Sequence, residues 1–178
     1  IHPSYYCIDG KPLVYIYRPS SIPNAHQWIS KMKDYFKATQ NRELLVGIVQ
    51  YLPNDKLPKI YNADLVLQFP PNGFSKMAIA TPAPKIQRET LPEYLILDYA
   101  SMINENQSLE YPSEVVRTSF PAWDNSPRKK IGWATFVGAD PKSFQEWIAN
   151  NLRSAKLDNS LGITMINAWN EWAEGACL

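Results

Sequence analysis

The chain is 178 residues long, enough for one ordinary domain and too short for two. Its residues are 45% hydrophobic and 20% charged, a core-forming balance that excludes an intrinsically disordered polypeptide. A net charge of +1 gives nucleic acid or an anionic membrane surface no electrostatic footing, and no apolar run approaches the roughly 18 residues that cross a bilayer.

Pro12–Tyr17 (PLVYIY) is a run of aliphatic and aromatic residues and predicts a buried strand. Tyr15, Tyr17 and Arg18 stand at its end. Packing explains Tyr15 best and competes with ligand contact for the other two. After the turn at Arg18-Pro19-Ser20, apolar residues recur at Ala25, Trp28, Ile29, Met32, Tyr35 and Phe36. That spacing of three and four predicts an amphipathic helix, capped by Asn24 or Ser21. Leu44–Gln50 (LLVGIVQ) predicts a second buried strand. A shorter strand follows at Leu65–Phe69, closed by Pro70-Pro71-Asn72-Gly73, with Asp64, Gln68 and Phe69 around its end.

Residues 74–90 hold two Pro and no period, and read as loop. Pro92–Asn104 predicts a helix in which Tyr99 is a core residue, and Val115–Phe120 predicts a strand. Asp140-Pro141 is a helix start, a cap followed by Pro at the first helical position. Phe144, Trp147, Ile148, Leu152 and Ala155 form the buried stripe of that helix. Ile163–Asn167 predicts a last strand, running directly into the motif AWNEWAEG.

Strands alternating with amphipathic helices predict parallel βαβ units in an α/β fold. Four or five strands with three helices make about half of a (β/α)8 TIM-type barrel, which typically needs about 250 residues. A doubly wound sheet is the alternative, but no Gly-rich phosphate loop follows any strand. A half barrel would leave unpaired edges and an uncovered face. The chain also stops four residues after Glu174, before a helix could cover the last strand. The expectation is a single partial domain over residues 1–178, the C-terminal half of a barrel without its first strands and final helix.

Two constellations carry chemistry. In Trp169-Asn170-Glu171-Trp172-Ala173-Glu174, a helical turn would bring Glu171 and Glu174 to one side, about 5–6 Å apart at Cβ. Such a separation suits two carboxylates sharing one glycosidic bond, and their proximity would push one pKa up, giving an acid and a base. A solvated turn with two acids explains the spacing equally well. Trp123-Asp124-Asn125-Ser126-Pro127-Arg128 combines a flat ring, a carboxylate, an amide and a guanidinium, the groups a sugar pocket needs. The competing reading is a turn in which Asp124 caps the backbone and pairs with Arg128.

Six Trp and ten Tyr suit stacking on sugar faces, although core packing accounts for at least half of them. Two Cys at opposite ends make neither a disulfide framework nor a zinc pattern, and two scattered His make no metal site. No Asp-x-Asp triplet, nucleophile elbow, phosphate loop or HExxH helix occurs, so acyl, phosphoryl and redox chemistry recede.

The blocks INAWNEWAEGACL, FPAWDNSPRKK, HPSYYCIDGKPLVYIYRP and NADLVLQFPPNG together resemble the WbsX family, labelled glycosyltransferase WbsX or glycoside hydrolase family 99-like. The first two are specific and the others supporting. The resemblance implies a (β/α)8 barrel related to the endo-α-mannosidases of family 99. It implies a glycan or polysaccharide substrate and no metal or organic cofactor. Glu171 is then the base that takes the proton of the sugar 2-hydroxyl, and Glu174 the group that protonates the leaving oxygen. Trp123, Asp124, Asn125, Arg128, Trp169, Asn170, Trp172, Tyr17 and Arg18 are the candidate substrate contacts. The mannosidases carry His where this chain has Ala173, so mannose specificity does not transfer. Family members lie among genes for surface polysaccharide assembly, such as lipopolysaccharide, while their kinship is with hydrolases. Hydrolysis and transfer both remain open, as does a non-catalytic polysaccharide-binding barrel. Transfer implies a cytoplasmic setting and hydrolysis a periplasmic or secreted one.

Overall fold

Where aliphatic and β-branched residues cluster between turn residues, the backbone is extended and paired. A computed structural model describes residues 2–52, 55, 57–72, 94–157 and 161–178. In chain order its elements are β1 (Cys7–Ile8), β2 (Lys11–Ile16), α1 (Ala25–Gln40), β3 (Leu45–Gln50) and β4 (Leu65–Gln68). Then come β5 (Tyr94–Asp98), α2 (Tyr99–Ser108), β6 (Val115–Val116), β7 (Thr118–Ser119) and β8 (Trp133–Val137). The chain ends with α3 (Pro141–Leu157), β9 (Met165–Ile166), β10 (Asn170–Glu171) and β11 (Ala176–Cys177). The predicted loop at 74–90 lies outside the described residues. The described chain is a mixed α/β structure that divides into two compact units.

The first unit is built from Ile1–Gly73, Pro112–Arg117 and Ala155–Ile163. Its sheet has the order β1-β2-β3-β4-β6, in which β2, β3, β4 and β6 are parallel. Asp9 and Gly10, both at positive φ, turn β1 back antiparallel onto β2, the chemistry that Asp-Gly gives a two-residue hairpin. Ile16, Ile29, Val46, Ile48, Ala63 and Val66 form the core. The predicted apolar stripe of α1 is narrower than expected. Ala25 and Ile29 are buried and Met32 packs on the core, whereas Trp28 and Tyr35 face outward. Neither predicted cap serves through its side chain: Asn24 holds the N-cap position in the left-handed conformation without a side-chain bond.

Asp64 precedes β4, at the opposite end from Gln68 and Phe69, so it does not belong with them at one strand end. It accepts hydrogen bonds from Lys33 Nζ at 2.9 Å and from the Val46 amide at 2.8 Å, a buttress between α1 and the sheet. Tyr15 is a packing residue. It lies opposite Gly47 in the β2–β3 register, and a Cβ on Gly47 would stand 2.3 Å from its ring. Burial pushes its hydroxyl pKa up to about 12.

The second unit comprises Phe74–Tyr111, Thr118–Ser154 and Thr164–Leu178. Here the predicted helix at Pro92–Asn104 is corrected. Residues Tyr94–Asp98 are a strand, paired in parallel with β8 along its whole length, and the helix begins only at Tyr99. Asp98 caps it by accepting the Ser101 amide at 2.6 Å, and the spaced residues Tyr99, Met102 and Ile103 are buried. The predicted strand Val115–Phe120 is two short pieces in different sheets, β6 on β4 and β7 on β9. β8 was not expected, although its aromatic and β-branched run is bounded by Gly132 and Gly138, both at positive φ.

Asp140 caps α3 by accepting from the Lys142 and Ser143 amides, as its Asp-Pro start predicts. Of the predicted stripe, Trp147 and Ala155 are buried, and Leu152 is exposed. Tyr99, Phe120, Phe136 and Trp147 meet edge to face at ring separations of 5.1–6.0 Å. Each such pair is worth ~0.5–1.5 kcal/mol beyond the area it buries. Trp147 also donates to Asn106 Oδ1 at 3.0 Å and Asn151 to Ser119 Oγ at 2.9 Å, so polar atoms in this core are tied to one another.

Candidate active site

The motif at the C-terminus folds as a tight hairpin. Asn170 lies opposite Cys177 and Glu171 opposite Ala176, and Trp172–Glu174 connects the strands as a single 3-10 turn. Gly175 closes the turn at φ 58, a left-handed conformation that side chains disfavour, and its amide donates to the Trp172 carbonyl. Ala176 is fully buried in the unit's core and anchors the returning strand. Glu171 therefore holds the N-cap position, without a side-chain cap bond, of the turn whose last residue is Glu174.

The second motif is laid alongside β8. The Phe136 amide donates to the Trp123 carbonyl at 2.8 Å, and the Asn125 amide to the Ala134 carbonyl at 3.2 Å. Asn125 Oδ1 accepts the Ala134 amide at 2.8 Å, which fixes that side chain in the fold. On its other side the Asp124 amide donates to the Glu174 carbonyl at 2.7 Å. Asp124 Oδ1 accepts the Ser126 amide at 2.9 Å and so starts the short turn Ser126–Arg128. That turn brings Arg128 Nη1 to 2.9 Å from Glu174 Oε1. The capping part of the bland reading holds, but the recorded partner of Arg128 is Glu174 rather than Asp124. Two motifs 46 residues apart are thus joined by a backbone bond and an ion pair.

The side chain of Glu174 keeps only 17% of its exposure. Burial raises its pKa above the ordinary carboxylate value; Arg128 pulls it down, the charge of Glu171 raises it further, and Lys129 pulls against both. The outcome is a carboxyl that holds its proton to higher pH than usual, beside a second one. Arg128 is half exposed, so the ion pair itself contributes ~0–1 kcal/mol and acts chiefly on orientation.

Trp169 and Trp172 flank the pair with 77% and 73% of their surface open, and Asn170 is exposed with them. Trp123 is 6% exposed and packs in the core, with its indole N–H lacking a hydrogen-bond partner among the described residues. Tyr17 and Arg18 belong to the first unit. There the Tyr17 ring lies 5.4 Å from that of Tyr51 and 5.8 Å from that of Phe69. The Arg18 guanidinium stands 3.9 Å from the Tyr51 ring centre. Sequence reasoning did not single out Tyr51; the available signal is its place directly after a strand, which Tyr17 and Phe69 share. Among the described residues no three His, Cys, Asp or Glu gather as a metal site, and no helix is long and apolar enough to cross a membrane.

A family model described as glycosyltransferase WbsX matches residues 2–178. The WxcX proteins of two strains of Xanthomonas campestris pv. campestris, B100 among them, are 27% and 26% identical over 184 residues. Those alignments cover 99% of this chain and 26% of each relative, so the chain spans about a quarter of their length. A solved structure titled glycoside hydrolase-like protein has a TM-score of 0.54 at 18% identity, over 97% of this chain and 48% of that one. It is a likeness of fold. Both descriptions name carbohydrate-active proteins, and by the match along nearly its whole length the chain belongs to the glycosyltransferase WbsX family.

Proposed function

We propose that this chain carries the glycosidic-bond chemistry of a carbohydrate-active enzyme, with Glu171 as base and Glu174 as acid. The observation that carries the reading is the Glu174 side chain, 17% exposed, with its carboxyl neighboured by the charge of Glu171 and tied to Arg128. A site that only bound sugar would gain little from two like charges set close together.

In the proposed reaction, Glu171 takes the proton of the sugar 2-hydroxyl, and that oxygen bonds to the anomeric carbon as the glycosidic bond breaks. Glu174 gives its proton to the departing oxygen. Water or a sugar hydroxyl then attacks the anomeric carbon of the 1,2-anhydro sugar, breaking its bond to the 2-oxygen, and passes a proton to Glu174, while Glu171 returns its proton to that oxygen. Configuration is retained through two inversions. No cofactor enters these steps. Trp169 and Trp172 offer open rings for sugar faces, and Asn170, Asp124 and Arg128 offer polar contacts. Trp123 and Asn125 serve by shaping the loop that carries Asp124 and Arg128. The fold likeness to about half of a glycoside hydrolase-like chain supports reading this one as half of a (β/α)8 barrel, where loops after strands bear the chemistry.

Hydrolysis is the favoured outcome, because water is the acceptor always at hand. The family description, a glycosyltransferase, favours transfer to a sugar hydroxyl as the second reading. Supplying nucleotide-sugar donors with acceptors separates the two. A product assay on bacterial surface polysaccharides, in wild type and Glu171→Gln, tests the proposal: release is expected to fall at least a hundredfold in the variant. Equal release would remove Glu171 from the mechanism.

A further inference from the structure

Three adjacent parallel strands of the first unit each end on an aromatic residue. Tyr17 directly follows β2, Tyr51 follows β3, and Phe69 follows β4. The β3–β4 register sets Tyr51 level with Phe69, and the Tyr17 ring, from the neighbouring strand, lies edge to face with both at 5.4 and 5.8 Å. Held this way, Tyr17 still leaves 51% of its surface open. Its ring is fixed without being covered.

Arg18 completes the cluster. Its backbone sits at φ 52, a left-handed conformation that costs a non-Gly residue ~1 kcal/mol or more. The guanidinium lies over the Tyr51 ring at 3.9 Å and reaches Tyr17 at 5.4 Å, so it is placed by stacking rather than by an ion pair. The side chain remains exposed, with donors to spare for a ligand. Carboxyl ends of parallel strands are where open and closed α/β sheets take their ligands. A positively charged fork beside an open ring fits a sugar: the ring meets the apolar face of a pyranose, and the fork bonds to vicinal hydroxyls.

We propose that Tyr17, Tyr51, Phe69 and Arg18 form a pyranose-binding subsite on the first unit, with Tyr17 as stacking surface and Arg18 as hydroxyl donor. It rests on the reading of this protein as glycan-active. The test uses the intact protein carrying Glu171→Gln, titrated by calorimetry with gluco-, galacto- and manno-configured tetrasaccharides. Stacking on a ring tolerates all three configurations, so at least one is expected to bind. Tyr17→Ala should weaken that binding about five- to tenfold, Tyr17→Phe should leave it within about twofold, and Arg18→Ala should weaken it as Tyr17→Ala does. No binding by any of the three, or undiminished binding by Tyr17→Ala, overturns the subsite. Turnover that survives Glu171→Gln while the Tyr17 effect persists overturns the catalytic reading and leaves the subsite standing.

Discussion

At the scale of single residues, the raised pKa of Glu174 sets a stability signature. Because burial raises that pKa in the folded state, the proton is held more tightly folded than unfolded. The associated stability is complete below the ordinary carboxylate pKa, about 4.3, and is lost as pH rises through the folded value. Glu174→Gln removes a carboxylate that the fold disfavours, so the variant is expected to melt higher than wild type at pH 7. The gap should close near pH 4; a lower Tm for the variant at pH 7 would contradict this account of the site. Arg128 pulls the same pKa downward and orients the carboxyl. Arg128→Ala should therefore move the alkaline limb of the kcat profile to higher pH while kcat falls about ten- to a hundredfold, and Arg128→Lys should recover part of both. A fall in kcat with an unmoved limb would reduce Arg128 to a substrate contact.

At the scale of elements, the β2–β3 pair is locked by a side chain filling the space of a missing one. Gly47→Ala would put a methyl group 2.3 Å from the Tyr15 ring, and such overpacking costs ~1–3 kcal/mol. Denaturant unfolding should show that loss, and in a Tyr15→Val background at least half of it should vanish. An unchanged loss would mean that backbone rather than ring is displaced. The same strands explain what was legible beforehand. β2, β3, β4 and α3 announce themselves through unbroken aliphatic runs or a clean cap; the structure shifts the strand ends by about a residue and starts α3 at Pro141 as expected. β5 was hidden because its Leu-Ile-Leu run joins a helix without a turn, so two periods overlap in one window. β6, β7 and β9 lie inside the predicted strands Val115–Phe120 and Ile163–Asn167, but at two residues each they are too short for their bounds to be read from a period. In the site, paired glutamates and the Trp-Asp-Asn triplet were visible as motifs. Their union through Asp124, Arg128 and Glu174 was not, since it depends on a contact across 46 residues.

At the scale of the molecule, the chain belongs to the glycosyltransferase WbsX family and shares the fold of about half of a glycoside hydrolase-like chain, while it spans about a quarter of its curated relatives. The central claim is that the paired carboxylates act on glycosidic bonds. Its most direct measurement is the product released from bacterial surface polysaccharides by the intact protein, with Glu171→Gln and Glu174→Gln run beside wild type. The account predicts oligosaccharide from wild type and at least a hundredfold less from either variant, with sugar binding kept. Release that persists undiminished in both variants would contradict it.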